Sequence, residues 1–477
     1  MDISYSNLSD KKKNLLDEIR DEIDIPFLNH NLVNPQREGT MASTAVAFSL
    51  ISEATLITPE MGLGKTYIAM GLMKEILQLE PDKKILFCGP NDKLIEFYKD
   101  FTYNLPEYKI TYTSASEKDL RKAFSDIAAG AQVLICGHSV FNKGVDFHLK
   151  FIPILDEFST FILDEGSMVL KSDDSYAYRS MEQFVPKLKY RYILNATPIE
   201  RDLQLLINQC RVLGVPIPSK SKIYREYGTL VGEHTVIFND LDQLKERMKY
   251  HMFNVSRNQL DVVGDINFDV NVRLLKVPHR LYKWLEEYGV RNLRYPFFDE
   301  GLFMDMNYPS LTELKKVCMK GKVDGDKMLV YVRNVNPKVV MKRELEELGL
   351  KVGIYDGTHT DNAEKKYAVE TRFNSGAYDV LLTNKLYGLS LPIANHLIMY
   401  DLPPNFFQYI FRAIRDLGDH NIKLTAIVYD HRRDLDRMTV ELHSERYQNE
   451  FVDRGFTFVS EIADQIEKKR GASIYDG

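Results

Sequence analysis

Between about residues 40 and 215 the chain repeats one pattern: a short apolar run closed by Gly or a polar residue, then a stretch of helical periodicity. The runs are "ATLIT", "KILFCGP", "QVLICGH", "TFILDE" and "RYILNAT". A strand buried on one face alternates apolar and polar residues. A continuous apolar run needs cover on both faces, as in a parallel strand flanked by helices. Stretches such as Tyr67 to Leu79 and Lys93 to Phe101 supply the helices. The repeat predicts a doubly wound, parallel-sheet α/β domain over 31–225. It returns as "MLVYVR", "KVGIYDG", "DVLLTN", "HLIMYDL" and "KLTAIVYD", with a helix over Pro337 to Leu348, so a second such domain is expected over 268–440.

The remaining stretches read differently. Residues 1–30 suggest a charged helical extension with Leu15, Leu16, Ile19 and Ile23 on one face. Residues 226–267 lose the pattern and read as a charge-rich insertion or bridge, and 441–477 as a helical tail. A chain of 477 residues with 44% apolar and 27% charged residues has room for two or three soluble domains. Its net charge of −6 gives no overall attraction to a polyanion, so a nucleic-acid surface would have to be confined to one cleft. Cys88, Cys136, Cys210 and Cys318 are far apart with no CxxC pair, which argues against a zinc site or disulfide framework and for buried thiols. The start does not resemble a signal peptide. The apolar-leaning stretch Thr44 to Ile57 is broken by Glu53 and too short to span a bilayer, so a cytoplasmic protein without membrane contact is expected.

The segment Pro59-Glu60-Met61-Gly62-Leu63-Gly64-Lys65-Thr66 lies between an apolar run and a helical one, the strand–loop–helix context of a phosphate-binding loop. Gly62 and Gly64 would let the backbone turn its N–H groups toward phosphate oxygens, and the helix N-terminus adds partial positive charge. Lys65 would reach the β- and γ-phosphates of ATP, and the Thr66 hydroxyl would ligate Mg2+. Pro59 stands where the eight-residue pattern has its first glycine. About a hundred residues later, Phe161-Ile162-Leu163 leads into Asp164-Glu165. Asp-Glu after a strand is commonly a solvated strand end. Following a phosphate loop at this distance, Asp164 would hold Mg2+ and Glu165 would orient and deprotonate the attacking water.

Gln408, Arg412 and Arg415 stand at i, i+4 and i+7, a spacing that places all three on one face of a helix, with Asn405 able to cap it. A surface arginine pair in salt bridges would show the same spacing, since Asp416 is adjacent.

The ordered set of motifs resembles superfamily 2 helicases, specifically the SWI/SNF-type DNA translocases. "PEMGLGKT" is similar to that branch's "DEMGLGKT". "LFCGPNDKLIEFYKDF", "VLICGHSVF", "ILDEGSMVLKSDDSYAYRSM" and "YILNATPIERDLQLLINQCRVL" fall where the family has its next motifs. "IYDGTHTDNAEKKYAVETRFNSG", "VLLTNKLYGLSLPIANHLIMYDLPPNFFQ" and "QYIFRAIRDLGD" resemble its second half, and the likeness spans about residues 30–435. It implies two tandem RecA-like lobes with an ATP cleft between them. Gln408, Arg412 and Arg415 would then complete the site, an arginine neutralising charge on the γ-phosphate. The resemblance also implies that Gln36 reads adenine and that Thr197 couples the ATP site to the polymer. Three positions depart from the family: Ser167 replaces the His of Asp-Glu-Ala-His, Asn195 replaces a Ser or Thr, and one glycine of a pair is lost at Tyr387-Gly388.

Motors of this class grip the sugar–phosphate backbone, because a sequence-independent stepper needs repeating contacts. The candidates are residues after strands: Asn91, Lys93, His138, Ser139, Arg333, Asn334, Thr383 and Lys385. The expectation is a monomeric ATP hydrolase using Mg2+ that moves on duplex or branched DNA, with RNA the alternative polymer. The compact outline resembles motors carried by phages or viruses, which would place it in host cytoplasm. Rival readings are a strand-separating helicase and an ATP-gated protein-binding switch.

Overall fold

The computed structural model describes residues 9, 12–14, 41–114, 116–143, 157–199, 203–231, 235–238, 242–256, 265–277, 309–360, 363–385, 389–403, 405–414, 419–431, 434–440, 442 and 458–475. The chain divides into two compact units, Met1–Val263 with Arg446–Gly455, and Gly264–Glu445 with Phe456–Gly477.

The first unit is built on β1 (Ala54–Pro59), β2 (Lys84–Gly89), β3 (Ile110–Thr113), β4 (Val133–Gly137), β5 (Phe158–Asp164) and β6 (Tyr190–Leu194). A hairpin of β7 (Gly228–Val231) and β8 (Thr235–Phe238) follows, then β9 (Met252–Val255). Seven strands form one sheet in the order β3-β4-β2-β5-β6-β1-β9, and every pairing in it is parallel. The central strands are buried along nearly their whole length, as their continuous apolar runs require. Leu86, Leu134, Leu163 and Ile193 are all fully buried. Each such side chain contributes roughly 1.5–3 kcal/mol of transfer free energy.

The second unit holds β10 (Ile266–Leu275), β11 (Met328–Tyr331), β12 (Val352–Tyr355), β13 (Val380–Thr383), β14 (His396–Met399) and β15 (His420–Tyr429). They form a six-stranded sheet in the order β10-β15-β14-β11-β13-β12, again parallel throughout. Both units are therefore parallel α/β layers. Because every strand of a sheet runs the same way, the residues following the strands collect along one edge, where ligands of such folds bind.

The stretch 226–267, expected as a bridge, does more than connect. Met252–Val255 pairs with β1 as an edge strand of the first sheet, and Ile266 already begins the second sheet. The tail helix Phe458–Tyr475 covers the free edge of β10. The Gln465 side chain accepts the Val272 N–H at 3.0 Å and donates to the Val270 carbonyl at 2.7 Å. Lys469 Nζ donates to the Val272 carbonyl. Side chains thus satisfy backbone groups that an open edge would offer to another strand. In the N-terminal extension Lys12 to Asn14 are helical, whereas Leu15, Leu16, Ile19 and Ile23 lie outside the described residues. All four cysteines are buried free thiols, and no described helix is long and apolar enough to cross a membrane.

Candidate nucleotide site

β1 runs into the loop 60–64, which leads into the helix Lys65–Leu79. Gly62 and Gly64 have φ of 83° and 80°, a left-handed conformation that glycine adopts without strain from a Cβ. Gly64 is the N-cap, and no side chain caps this 15-residue helix. Its first turn therefore presents N–H donors and the positive end of the helix dipole toward the loop. Thr66 sits in that turn and is half-buried.

β5 delivers Asp164 and Glu165 to the same sheet edge. Lys65 Nζ lies 2.8 Å from Glu165 Oε1, with the two side chains 13% and 16% exposed. Glu165 has φ 51° and ψ 50°, left-handed and unusual for a residue with a side chain. Strain of this kind is retained where its surroundings hold a side chain in a particular direction. The next residue must be small: a Cβ on Gly166 would stand 2.7 Å from Ile193 Cγ2. Burial, and after it the charge of Glu165, pushes the Asp164 carboxyl up to about 7, while Lys65 and Lys93 pull the other way. A carboxyl whose ionised form is disfavoured by burial would gain from a hard oxygen-seeking cation. Among the described residues no group of three or more His, Cys, Asp or Glu could cage a metal. Thr66 and Asp164 are the residues that could hold Mg2+ together with nucleotide phosphates, the usual arrangement for this ion.

The strand-end residues proposed for the polymer have distinct environments. Ser139 donates from its N–H at 3.2 Å and its hydroxyl at 2.9 Å to Asn91 Oδ1, tying the end of β4 to that of β2. A Cβ on Gly137 would lie 2.0 Å from the same oxygen, so the tie depends on glycine there. Lys93 is partly exposed and pairs with Glu96 at 2.6 Å. His138 is not presented at the surface as expected. It is 4% exposed, its Nε2 lies 2.8 Å from the Asp164 carbonyl, and burial holds its pKa down at about 4. The ring is neutral and donates to that carbonyl, so His138 buttresses the Asp164–Glu165 segment.

In the second unit Arg333 donates its N–H to Asp401 Oδ2 at 2.8 Å and its guanidinium to the Leu402 carbonyl at 3.3 Å. Asn334 and Lys385 are half-buried at the same sheet edge. Thr383, another candidate for the polymer, is fully buried, and its hydroxyl accepts the Lys385 N–H at 3.0 Å. That bond lies within the turn after β13. Nearby, Lys338 is wholly buried 3.5 Å from Asp356, and burial lowers its amine to about 8.

The Gln-Arg-Arg segment differs from the expected three-residue helical face. The helix spans only Phe406–Ile410, capped by Asn405, whose side chain accepts the Gln408 N–H at 2.9 Å. Arg412 lies beyond it in a tighter turn, its N–H bonded to the Tyr409 carbonyl at 3.2 Å. The Gln408 carbonyl that a continuing α-helix would give to that N–H is taken by Arg412 Nε at 2.8 Å. The guanidinium also donates to Gln408 Oε1 at 2.7 Å and to the Leu389 carbonyl at 3.0 Å, and Arg412 is 4% exposed. Gln36, Arg415, Tyr387 and Gly388 lie outside the described residues.

A glycine-rich strand–loop–helix joined to an Asp-Glu strand end by the Lys65–Glu165 pair fits a nucleotide-hydrolysing α/β protein, and comparison with known families decides the family. The family described as SNF2-related domain matches residues 42–283, just over half of the chain. The chain belongs to the SNF2-related family. The helicase conserved C-terminal domain matches residues 310–416 of this SNF2-related chain. Together the two matches place it among the superfamily 2, SWI/SNF-type helicase-like ATPases, with an α/β fold of tandem RecA-like lobes and the ATPase core of that group.

Two solved structures are similar to the SNF2-related chain at 15% identity. The Hef helicase domain of Pyrococcus furiosus covers 82% of this chain and 96% of its own, with a TM-score of 0.48. The Sulfolobus solfataricus SWI2/SNF2 ATPase core in complex with dsDNA covers 86% and 90%, with a TM-score of 0.40. A curated relative, DNA polymerase alpha-associated DNA helicase A of Saccharomyces cerevisiae, is 35% identical over 66 residues. That match takes in 14% of this chain and 9% of the relative, so the chain spans under a tenth of that protein's length.

Proposed function

We propose that this SNF2-related ATPase is a motor that moves along duplex DNA, hydrolysing one bound ATP at a time. The observation that carries the reading is the Lys65–Glu165 pair at 2.8 Å, on a loop whose two glycines adopt left-handed backbone. A binding switch has no need of a carboxylate placed to deprotonate water, so Glu165 favours turnover over gating alone. When ATP binds, Lys65 exchanges Glu165 for the β- and γ-phosphates, and the released carboxylate takes its place as base. Mg2+, held by Thr66 and Asp164, would offset phosphate charge during transfer. His138 and the Ile193–Gly166 contact keep the Asp164–Glu165 segment in register while this exchange occurs.

In the family the second half supplies a cation to the γ-phosphate. Arg412 is engaged by Gln408 and by the Leu389 carbonyl, so we assign the finger to Arg415 and a shaping role to Gln408 and Arg412. Gln36 is assigned to adenine and Thr197 to coupling on the family's pattern. Asn91, Lys93, Ser139, Arg333, Asn334 and Lys385 are the proposed backbone-phosphate contacts; burial removes His138 and Thr383 from that set. The preference for DNA, and for remodelling or branch migration over long unwinding, rests on the SWI/SNF-type motif set.

Steady-state ATPase rates with duplex DNA, single-stranded DNA, RNA and no polymer test the proposal. Strongest stimulation by duplex DNA is the expected result. Stimulation by single strands or RNA alone would replace it with a strand-separating enzyme, and indifference to every polymer would leave a nucleotide-gated switch.

A further inference from the structure

Asn195, which stands where the family carries Ser or Thr, is fully buried, and so is Gln209 on the helix Gln204–Leu213. Their amides meet: Asn195 Nδ2 donates to Gln209 Oε1 at 2.8 Å. Asn195 Oδ1 accepts the Thr197 N–H at 3.3 Å. Gln209 Nε2 donates to the Pro198 carbonyl at 2.8 Å and the Leu205 carbonyl at 3.2 Å. A ring of hydrogen bonds thus closes around the turn Asn195-Ala196-Thr197-Pro198, with its far side anchored on a helix.

The same amide faces the catalytic strand. A Cβ on Gly166, directly after Glu165, would lie 3.7 Å from Gln209 Oε1. The backbones are joined as well. Glu165 N–H donates to the Leu194 carbonyl at 2.9 Å, and Asn195 N–H donates to the Ile57 carbonyl at 3.0 Å. Leu205, Leu206, Val212 and Leu213 on the same helix are buried apolar residues. Packing alone would accept another of that kind at 209. Two buried amides are stable only when their polar atoms are satisfied, which makes the pair a fixed unit.

We propose that Gln209 is a positioning residue: its amide holds the Asn195–Pro198 turn against the Asp164–Glu165 segment, so that a change at the phosphate site is passed to Thr197. The proposal rests on the reading of the chain as a polymer-stimulated ATPase.

The test compares the full chain with Gln209→Met, Asn195→Ala and the double variant. Melting temperature, KM for ATP and kcat with duplex DNA are read for each. Gln209→Met leaves Asn195 Nδ2 without its acceptor and should lower the melting temperature. It should also lower stimulated kcat about tenfold, with KM for ATP within about twofold, as expected for lost orientation. The double variant, freed of the stranded amide, should regain melting temperature and keep the lowered kcat. Recovery of kcat in step with stability would mark the pair as structural and overturn the proposal, as would a wild-type kcat in Gln209→Met. Amide exchange at Thr197 separates this from failure of the motor reading. Exchange should quicken in Gln209→Met while the central strands stay protected, even if no polymer stimulates the wild type. Unchanged exchange at Thr197 overturns the tether.

Discussion

Lys65 and Arg412 are both motif cations, yet their surroundings set them to different work. Lys65 has a carboxylate partner at a loop, and both side chains keep some solvent contact. Arg412 is almost sealed, its guanidinium shared among three carbonyl-type oxygens of its own unit. A single flexible ammonium pair can be traded for phosphate with little disturbance. A fork held by several fixed acceptors cannot leave without stranding them. The number of fixed acceptors around a cation, more than its place in a motif, separates a ligand-binding group from a structural one.

The largest expected effect breaks the first half of that comparison. Lys65→Ala should lower ATPase kcat on the order of 10²–10³-fold, the loss typical of removing one group that stabilises transition-state charge. Its melting temperature should stay near wild type; a steady-state assay and a thermal melt check the two together. Arg412→Ala should do the reverse, costing about 2–3 kcal/mol of stability as buried acceptors lose their donor. Denaturant unfolding measures this, and an unchanged midpoint would contradict the structural role. Arg412→Lys should recover little, because an ammonium cannot match the planar fork.

A smaller effect concerns Asp164. Its folded pKa, raised to about 7, means that its contribution to stability is complete below the ordinary carboxylate range and is lost as pH rises through that value. Asp164→Asn removes the penalty, so its melting temperature should gain on wild type between about pH 4 and about pH 7. Melts across that range decide it; a constant difference would show that burial does not burden this group. The smallest effect is at Gly137. Its Cβ would displace the end of the Asn91 side chain and press on Leu94 Cδ1, both side-chain atoms that can give, so Gly137→Ala should cost about 1 kcal/mol, chiefly by loss of the Ser139 hydrogen bonds. A larger loss in a thermal melt would mean that the backbone itself moves.

The strands missed from sequence lie at edges, although the edge strand β12, buried at three of its four positions, was legible as an apolar run. β1, β2, β4, β5 and β6 lie inside the first sheet and are visible as apolar runs, because both faces are covered. β3 and β9 are its edges, each only four residues long, and β3 has an exposed position. β10, an edge of the second sheet, alternates half-buried and exposed residues over its first six positions, so no continuous run announces it. At the candidate site, the glycine spacing and the Asp-Glu strand end were legible because each is a run of near neighbours, and left-handed backbone at Gly62 and Gly64 constrains residue type directly. Gln209 was not, since a polar residue amid buried helix positions carries no spacing signal.

Sequence alone determined the βα rhythm, the glycine-rich loop after β1 and the Asp-Glu end of β5, because each depends on neighbours within a few residues or on which faces of a strand are covered. Tertiary structure decided the rest. His138 is buried under Asp164, Arg412 is folded back onto Gln408, and Asn195 is bound to Gln209. In all three, the destination of a polar side chain depends on which acceptors the fold brings within about 3 Å, and residue spacing does not encode that distance.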